Sequence, residues 1–117
     1  MNFDFSDEQR ALQSEVQRFL SDRADLSVAR AVLNDDGAHF AEPVWREMLE
    51  LGWAGMAIPD QYGGVGLGYL ELCVLAEELG HSLAPVPFSS TIYLFTEAIL
   101  RVANENVRAQ TLPAVAA

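Results

Sequence analysis

Apolar residues recur three and four positions apart through almost the whole chain, and Gly, Pro, Asn or Asp punctuates the runs. That spacing puts the apolar side chains on one face of an α-helix, and a two-residue alternation would be needed for a half-buried strand. The chain therefore reads as all-α, an up-and-down-like bundle of about five to six short helices. At 117 residues it is long enough for one domain with one core.

The boundaries follow from local chemistry. Ser6-Asp7-Glu8-Gln9 has the form of a capping box, in which Ser6 and Gln9 each satisfy the other's backbone amide. Phe5 stands where a hydrophobic staple would. Leu12, Val16, Phe19 and Leu20 then form one stripe, and the polar Ser21 to Asp25 ends the helix. A second helix is expected over Leu26–Leu33, stopped by the turn sequence Asn34-Asp35-Asp36-Gly37. Pro43 suits a first helical turn, where its missing N–H costs nothing, and Gly52 suits the left-handed position after the end. The stretch from Trp53 to Gly68 is read as an extended piece into Pro59 followed by a tight Gly-rich turn. A helix over Tyr69–Leu79 follows, capped by Gly80, with Leu72, Leu75, Ala76 and Leu79 inward. Ser89 or Ser90 is expected to cap a largely apolar helix ending near Ala103. Asn104 caps the last one, which Pro113 should break or kink. The ending, Leu112 to Ala117, is apolar and reads as an interrupted element, with docking on its own domain as the alternative.

Charge narrows the partners. Seventeen acids stand against seven arginines and no lysine, a net charge of −10. Such a surface repels a phosphate backbone, which argues against nucleic acid. No apolar run approaches the roughly 20 residues of a membrane span, and the polar, acidic start does not read as a signal peptide. Cys73 is the single cysteine and excludes an intramolecular disulfide. The expected location is the cytoplasm.

No complete catalytic constellation is present. Gly64, Gly66 and Gly68 are spaced G-x-G-x-G, but Tyr69 stands where a dinucleotide fingerprint needs glycine, and a G-K-[ST] phosphate loop needs a lysine. A turn requiring positive φ explains the glycines better. Glu77 and Glu78 are adjacent on a helix, so they diverge and read as a solvated face. Glu97 reads as the wet stripe of its apolar helix. His39, His81 and Cys73 have no metal-ligand spacing. Ser89, Ser90 and Thr91 suit capping, and Trp45 and Trp53 suit the core. Phe88, Thr91, Ile92 and Phe95 fall at i, i+3, i+4 and i+7 on one helical face. Taken by itself that stripe reads as core. It also has the composition of an acyl-chain tunnel, where burial gains roughly 0.8 kcal/mol per methylene.

The order of these features resembles the acyl-CoA dehydrogenase family. The most specific segment is Trp45 to Gly52 (WREMLELG) followed by Ile58 to Leu67 (IPDQYGGVGL). Phe5-Ser6-Asp7-Glu8-Gln9 resembles the family's first-helix start. Glu77-Glu78-Leu79-Gly80 and the run from Asn104-Glu105 to Leu112-Pro113 continue the match. Leu83 to Phe88 (LAPVPF) is similar to a bacterial branch, some members of which are unequal-subunit assemblies acting on bulky CoA thioesters. The resemblance covers residues 1–117 and identifies them with the family's N-terminal helical domain.

The resemblance implies an FAD-dependent oxidoreductase of lipid metabolism. It would oxidise acyl-CoA to 2-enoyl-CoA, with a carboxylate base taking the α proton and flavin N5 the β hydride. A middle β-domain and a C-terminal helical bundle would carry the base and most FAD contacts. Electrons would pass to an electron-transfer flavoprotein, and the full-length protein would be an oligomer. This domain would wall the acyl pocket through Phe88, Ser89, Thr91, Ile92 and Phe95 and would supply no catalytic, cofactor or metal residue. The middle-domain pattern T-E-P-x-x-G-S-D is absent, so the 117 residues alone are expected to be inactive. Two alternatives stand beside this reading. One is a non-catalytic helical binding or assembly module pairing with a complete subunit. The other is a relative with altered chemistry, such as an oxidase, since fold does not settle reaction.

Overall fold

A computed structural model describes residues 4–117. In chain order the elements are α1 (Asp7–Arg23), α2 (Leu26–Leu33), α3 (Glu42–Glu50), two 3₁₀ turns (Trp53–Gly55 and Asp60–Tyr62), α4 (Tyr69–Ser82), a π-helix (Ser89–Thr96), α5 (Glu97–Val102) and α6 (Glu105–Ala116). No strand occurs among the described residues. The all-α expectation holds. The chain divides into two compact units, one of residues 4–41 and 69–85, the other of residues 42–68 and 86–117.

In the first unit the capping box forms as expected. The Gln9 amide donates to Ser6 Oγ at 3.2 Å, and the Ser6 amide donates to Gln9 Oε1 at 3.0 Å. α1 packs on α4, burying Val16 and Leu20 on one side and Leu72, Val74, Leu75 and Leu79 on the other. Glutamines at positions 9, 13 and 17 of α1 reach across. Gln9 Nε2 donates to Glu71, and Gln13 Nε2 and Gln17 Nε2 both donate to Glu78 Oε1, each at 2.9 Å. These pairings rise together along both helices, so α1 and α4 run in the same direction. α2 is capped by Asp25. Asp25 Oδ1 accepts the Ser27 amide at 2.8 Å, and the helix buries no residue fully.

α4 does not stop at Leu79. It continues through Gly80 to Ser82, and the left-handed residue that ends it is Leu83, with φ of 52°. The Leu83 amide donates to the Gly80 carbonyl at 3.2 Å and the Ala84 amide to the Leu79 carbonyl at 3.1 Å. This paired closure is a Schellman motif, built here on a leucine in place of the usual glycine.

The second unit is organised by the loop that joins its 3₁₀ turns. After Gly52 turns left-handed (φ 77°), the backbone closes i→i+3 bonds, so Trp53–Gly55 is a 3₁₀ turn and not the start of an extended piece. The Gly-rich stretch then folds back along it. The amides of Gly64, Val65, Gly66 and Leu67 donate to the carbonyls of Pro59, Gly55, Ile58 and Met56 at 2.8–3.2 Å. Gly64 passes so close that a Cβ there would lie 2.0 Å from the Ile58 carbonyl oxygen. Ile58, Tyr62 and Leu112 form one core cluster, with Ile99, Leu100, Val115 and Ala116 packed against it.

Asn104 caps α6, accepting the Val107 amide at 3.0 Å. Pro113 does not break α6, which continues to Ala116. The apolar ending is docked on its own unit. A Cβ on Gly55 would touch Ala116 at 3.2 Å.

Candidate functional site

The acyl-wall candidates lie on the π-helix of the second unit. The first turn starts at Phe88, whose backbone is already right-handed helical, and neither Ser89 nor Ser90 caps it. Ser90 Oγ donates back to the Pro87 carbonyl at 3.2 Å. Phe88 stacks edge-on against Trp45 and Tyr93, with ring centroids 6.3 and 5.5 Å away.

The expected stripe is split. Phe88 (2% exposed) and Ile92 (4%) are inside, Thr91 is half-buried, and Phe95 (46%) and Ser89 are outside. The reason is the helix type. A π-turn closes i→i+5 and takes roughly one residue more than the 3.6 of an α-turn. Seven residues make two α-turns but only about one and a half π-turns, so Phe95 lands across the helix from Phe88. The buried row becomes Phe88, Ile92 and Thr96, a four-residue repeat. The open face carries Ser89, Ser90, Leu94 and Phe95, with Leu94 70% exposed. Leu94 and Thr96 stand outside the expected set. The i, i+4, i+8 repeat of Phe88, Ile92 and Thr96 is a signal for Thr96, and no local signal marks Leu94. Glu97 follows on α5, partly buried and ion-paired with Arg101.

Elsewhere the second unit holds a polar pair. Tyr62 is buried, and its hydroxyl donates to both oxygens of Glu105 at 2.7 and 2.9 Å. That hydrogen bond to a carboxylate raises the phenol above the ordinary tyrosine value, with desolvation adding to it.

The first unit contains a cleft of about 560 Å³ lined by residues including Gln17, Leu20, Ala24, Asp25, Glu78 and His81. Glu78 is buried there, held by the two glutamine amides, so it is not part of a solvated face; its neighbour Glu77 is. The signal for this was the glutamine repeat on α1. Asp25 is held below the ordinary carboxylate range by hydrogen bonds from the Ser27 hydroxyl and amide. Two carboxylates at this cleft disfavour an anion such as a CoA phosphate.

A flavin dinucleotide needs donors for its diphosphate. The Gly-rich loop does not offer them, because the amides of residues 64–67 are spent on the carbonyls of residues 55–59. The glycines serve a turn and a close backbone approach. No group of His, Cys, Asp and Glu that could hold a metal ion occurs among the described residues, and no described helix is long and apolar enough to cross a membrane.

The sequence profile of the acyl-CoA dehydrogenase N-terminal domain matches residues 6–117. The chain belongs to the acyl-CoA dehydrogenase family. Benzylmalonyl-CoA dehydrogenase of Aromatoleum aromaticum is 38% identical over 79 residues, which are 68% of this chain and 20% of that protein. Among solved structures, a variant of the Tcur3481-Tcur3483 steroid ACAD superposes with a TM-score of 0.81 at 36% identity, over 93% of this chain and 29% of that one. The ChsE4-ChsE5 complex from Mycobacterium tuberculosis superposes at 0.84 with 25% identity, over 99% and 31%. An acyl-CoA dehydrogenase from Bacillus anthracis, complexed with FAD, shares the fold at 0.72 with 21% identity, over 97% and 19%. The chain spans about a fifth to a third of the length of the curated relatives it matches.

Proposed function

We propose that these residues are the N-terminal helical domain of an FAD-dependent acyl-CoA dehydrogenase that oxidises acyl-CoA thioesters to 2-enoyl-CoA. The domain contributes one wall of the acyl-chain pocket and packs against a middle β-domain and a C-terminal helical bundle supplied by further polypeptide. FAD, the catalytic base and the site for CoA's phosphates belong to those domains. The observation that carries this reading is the family match over residues 6–117 together with the open Leu94/Phe95 face of the π-helix. Such a face gives an acyl chain apolar area, and the hydroxyls of Ser89 and Ser90 lie beside it. The wall thus shifts within the expected set. Ser89 and Phe95 meet the acyl group, Thr91 lies at the edge, and Phe88 and Ile92 back them from inside. The reaction partner is acyl-CoA, and the electron acceptor is an electron-transfer flavoprotein.

The test is expression of these residues joined to, or together with, the middle and C-terminal domains. The product should be yellow and should reduce a dye acceptor with acyl-CoA. Absence of flavin and of activity across short, long and bulky thioesters would reject the reading.

A second reading is a non-catalytic module that docks on a complete subunit. The assembly named for the ChsE4-ChsE5 complex favours it. It predicts that the 117-residue chain elutes as a larger species, or is recovered only with a partner. A cooperatively melting monomer counts against it.

A further inference from the structure

Thr96 is the one buried hydroxyl-bearing residue of the π-helix, 3% exposed, and it sits at its last position. Its Oγ1 donates to the Thr91 carbonyl, five residues back, at 2.7 Å. In an α-helix a threonine hydroxyl reaches the carbonyl three or four residues back. Reach to the fifth requires the wider turn. A buried hydroxyl without a partner is costly, so wide turn and hydrogen bond support each other.

The consequence falls on Phe95. With the i→i+5 ladder in place, Phe95 stands on the open face and Phe88 on the buried one. If the segment tightened to α-geometry, Phe95 would return to the Phe88 row two full turns on, and the open face would lose its aromatic ring. Stretches of π-helix are rare and recur at functional sites, which fits a geometry kept for what it presents.

We propose that Thr96 is a positioning residue: its hydroxyl holds Ser89–Thr96 in the π register, and that register sets acyl-group specificity by keeping Phe95 on the pocket wall. Thr96 itself does not touch the acyl group. The inference rests on the reading of this face as the acyl wall, and the two are tested separately.

The register is tested on the 117-residue chain. Fluorophenylalanine is incorporated, the Phe88 and Phe95 resonances are assigned by single Phe→Leu changes, and the ¹⁹F shift between H₂O and D₂O is measured. The wild type should show a solvent shift at Phe95 and none at Phe88. Thr96→Val should abolish the Phe95 shift, and Thr96→Ser should keep it. A solvent shift retained in a folded Thr96→Val overturns the proposal. Should Thr96→Val not fold, Thr96→Ala gives the same comparison. In the wild type, amide–carbonyl couplings connecting i to i+4 through residues 89–96 would overturn it as well.

Specificity is tested in the enzyme completed by its other domains. Thr96→Val should change the KM ratio of a bulky to a short acyl-CoA by about tenfold or more, and Thr96→Ser should restore it. A register change that leaves acyl preference untouched would reject the acyl-wall reading while Thr96's hold on the helix stands.

Discussion

Replacing Gly64 and Gly80 by alanine should move stability in opposite directions, although both are exposed or half-exposed glycines in one 17-residue stretch. At Gly64 the new Cβ would meet the Ile58 carbonyl oxygen at 2.0 Å and its carbon at 2.5 Å. Both are backbone atoms, so the loop itself must separate by more than 1 Å to restore van der Waals distance. That separation stretches the bonds from Gly66 to Ile58 (2.9 Å) and from Gly64 to Pro59 (3.2 Å) past a useful length. Each is worth about 1 kcal/mol net. Ile58 is fully buried against Tyr62 and Leu112, so pushing it adds an overpacking cost of roughly 1–3 kcal/mol. The loss should be about 3–5 kcal/mol. With a urea m-value of roughly 1–1.5 kcal/mol/M, the unfolding midpoint falls by about 2–5 M. At Gly80 a Cβ meets nothing within 4 Å, and the residue lies inside a helix. Alanine there should raise stability by about 0.5–1 kcal/mol. Urea titrations followed by far-ultraviolet circular dichroism measure both. A Gly64→Ala chain within about 0.5 kcal/mol of wild type would refute the close-approach argument. A destabilised Gly80→Ala would mean that α4 ends at Gly80 after all.

Three other outcomes follow from the same geometry. Leu83→Gly should stabilise the chain by up to about 1 kcal/mol, since it relieves a left-handed leucine whose side chain is 63% exposed; a lower melting temperature would show that Leu83 is anchored. The Tyr62 phenol, raised by its hydrogen bond to Glu105, should titrate above the ordinary tyrosine value in an ultraviolet titration at 295 nm. Because its folded value is the higher one, it contributes stability fully present below the unfolded value near 10, and that stability is lost as pH rises through the folded value. Glu105→Gln should bring the phenol back toward the ordinary value. Asp25 is shifted the opposite way by Ser27, so its contribution is present above about pH 4 and is lost as pH falls through the lowered folded value. The amide resonance of Ser27 should report that loss first, and Asp25→Asn should remove its pH dependence.

What the sequence announced was the chemistry that acts within a few residues. Ser6 with Gln9 and Asn104 with Val107 are caps whose partners lie three positions away, and both form as read. Gly52 at φ 77° belongs to the same class. The misreadings needed distant partners. Glu78 is adjacent to Glu77 on α4 and looks solvated until Gln13 and Gln17, more than 60 positions earlier, are placed against it. The strip from Gly64 to Leu67 folds back on Gly55–Pro59 and takes the carbonyls of Gly55, Met56, Ile58 and Pro59, so the segment after Gly52 is not a free extended piece. Gly80 carries the mark of a helix end, but the closure forms three residues later on Leu83, where the chain must turn toward Ala84 and Pro85.

The split stripe shows how helix type decides which side chains share a face. A 3.6-residue period puts Phe88, Thr91, Ile92 and Phe95 on one face, whereas Phe88 and Ile92 are buried and Phe95 is on the open side. Nothing in the local sequence specifies a π-turn in the way Ser6 and Gln9 specify a cap. In the fold Phe88 stacks on Trp45 and Tyr93, and Thr96, eight residues on, is buried and bonded to Thr91. Between those inward ends the wider π-turn carries the ring of Phe95 to the side opposite Phe88. An exposed aromatic ring placed by helix register, and not by a rotamer, should respond to changes at Thr96 together with the rest of the segment.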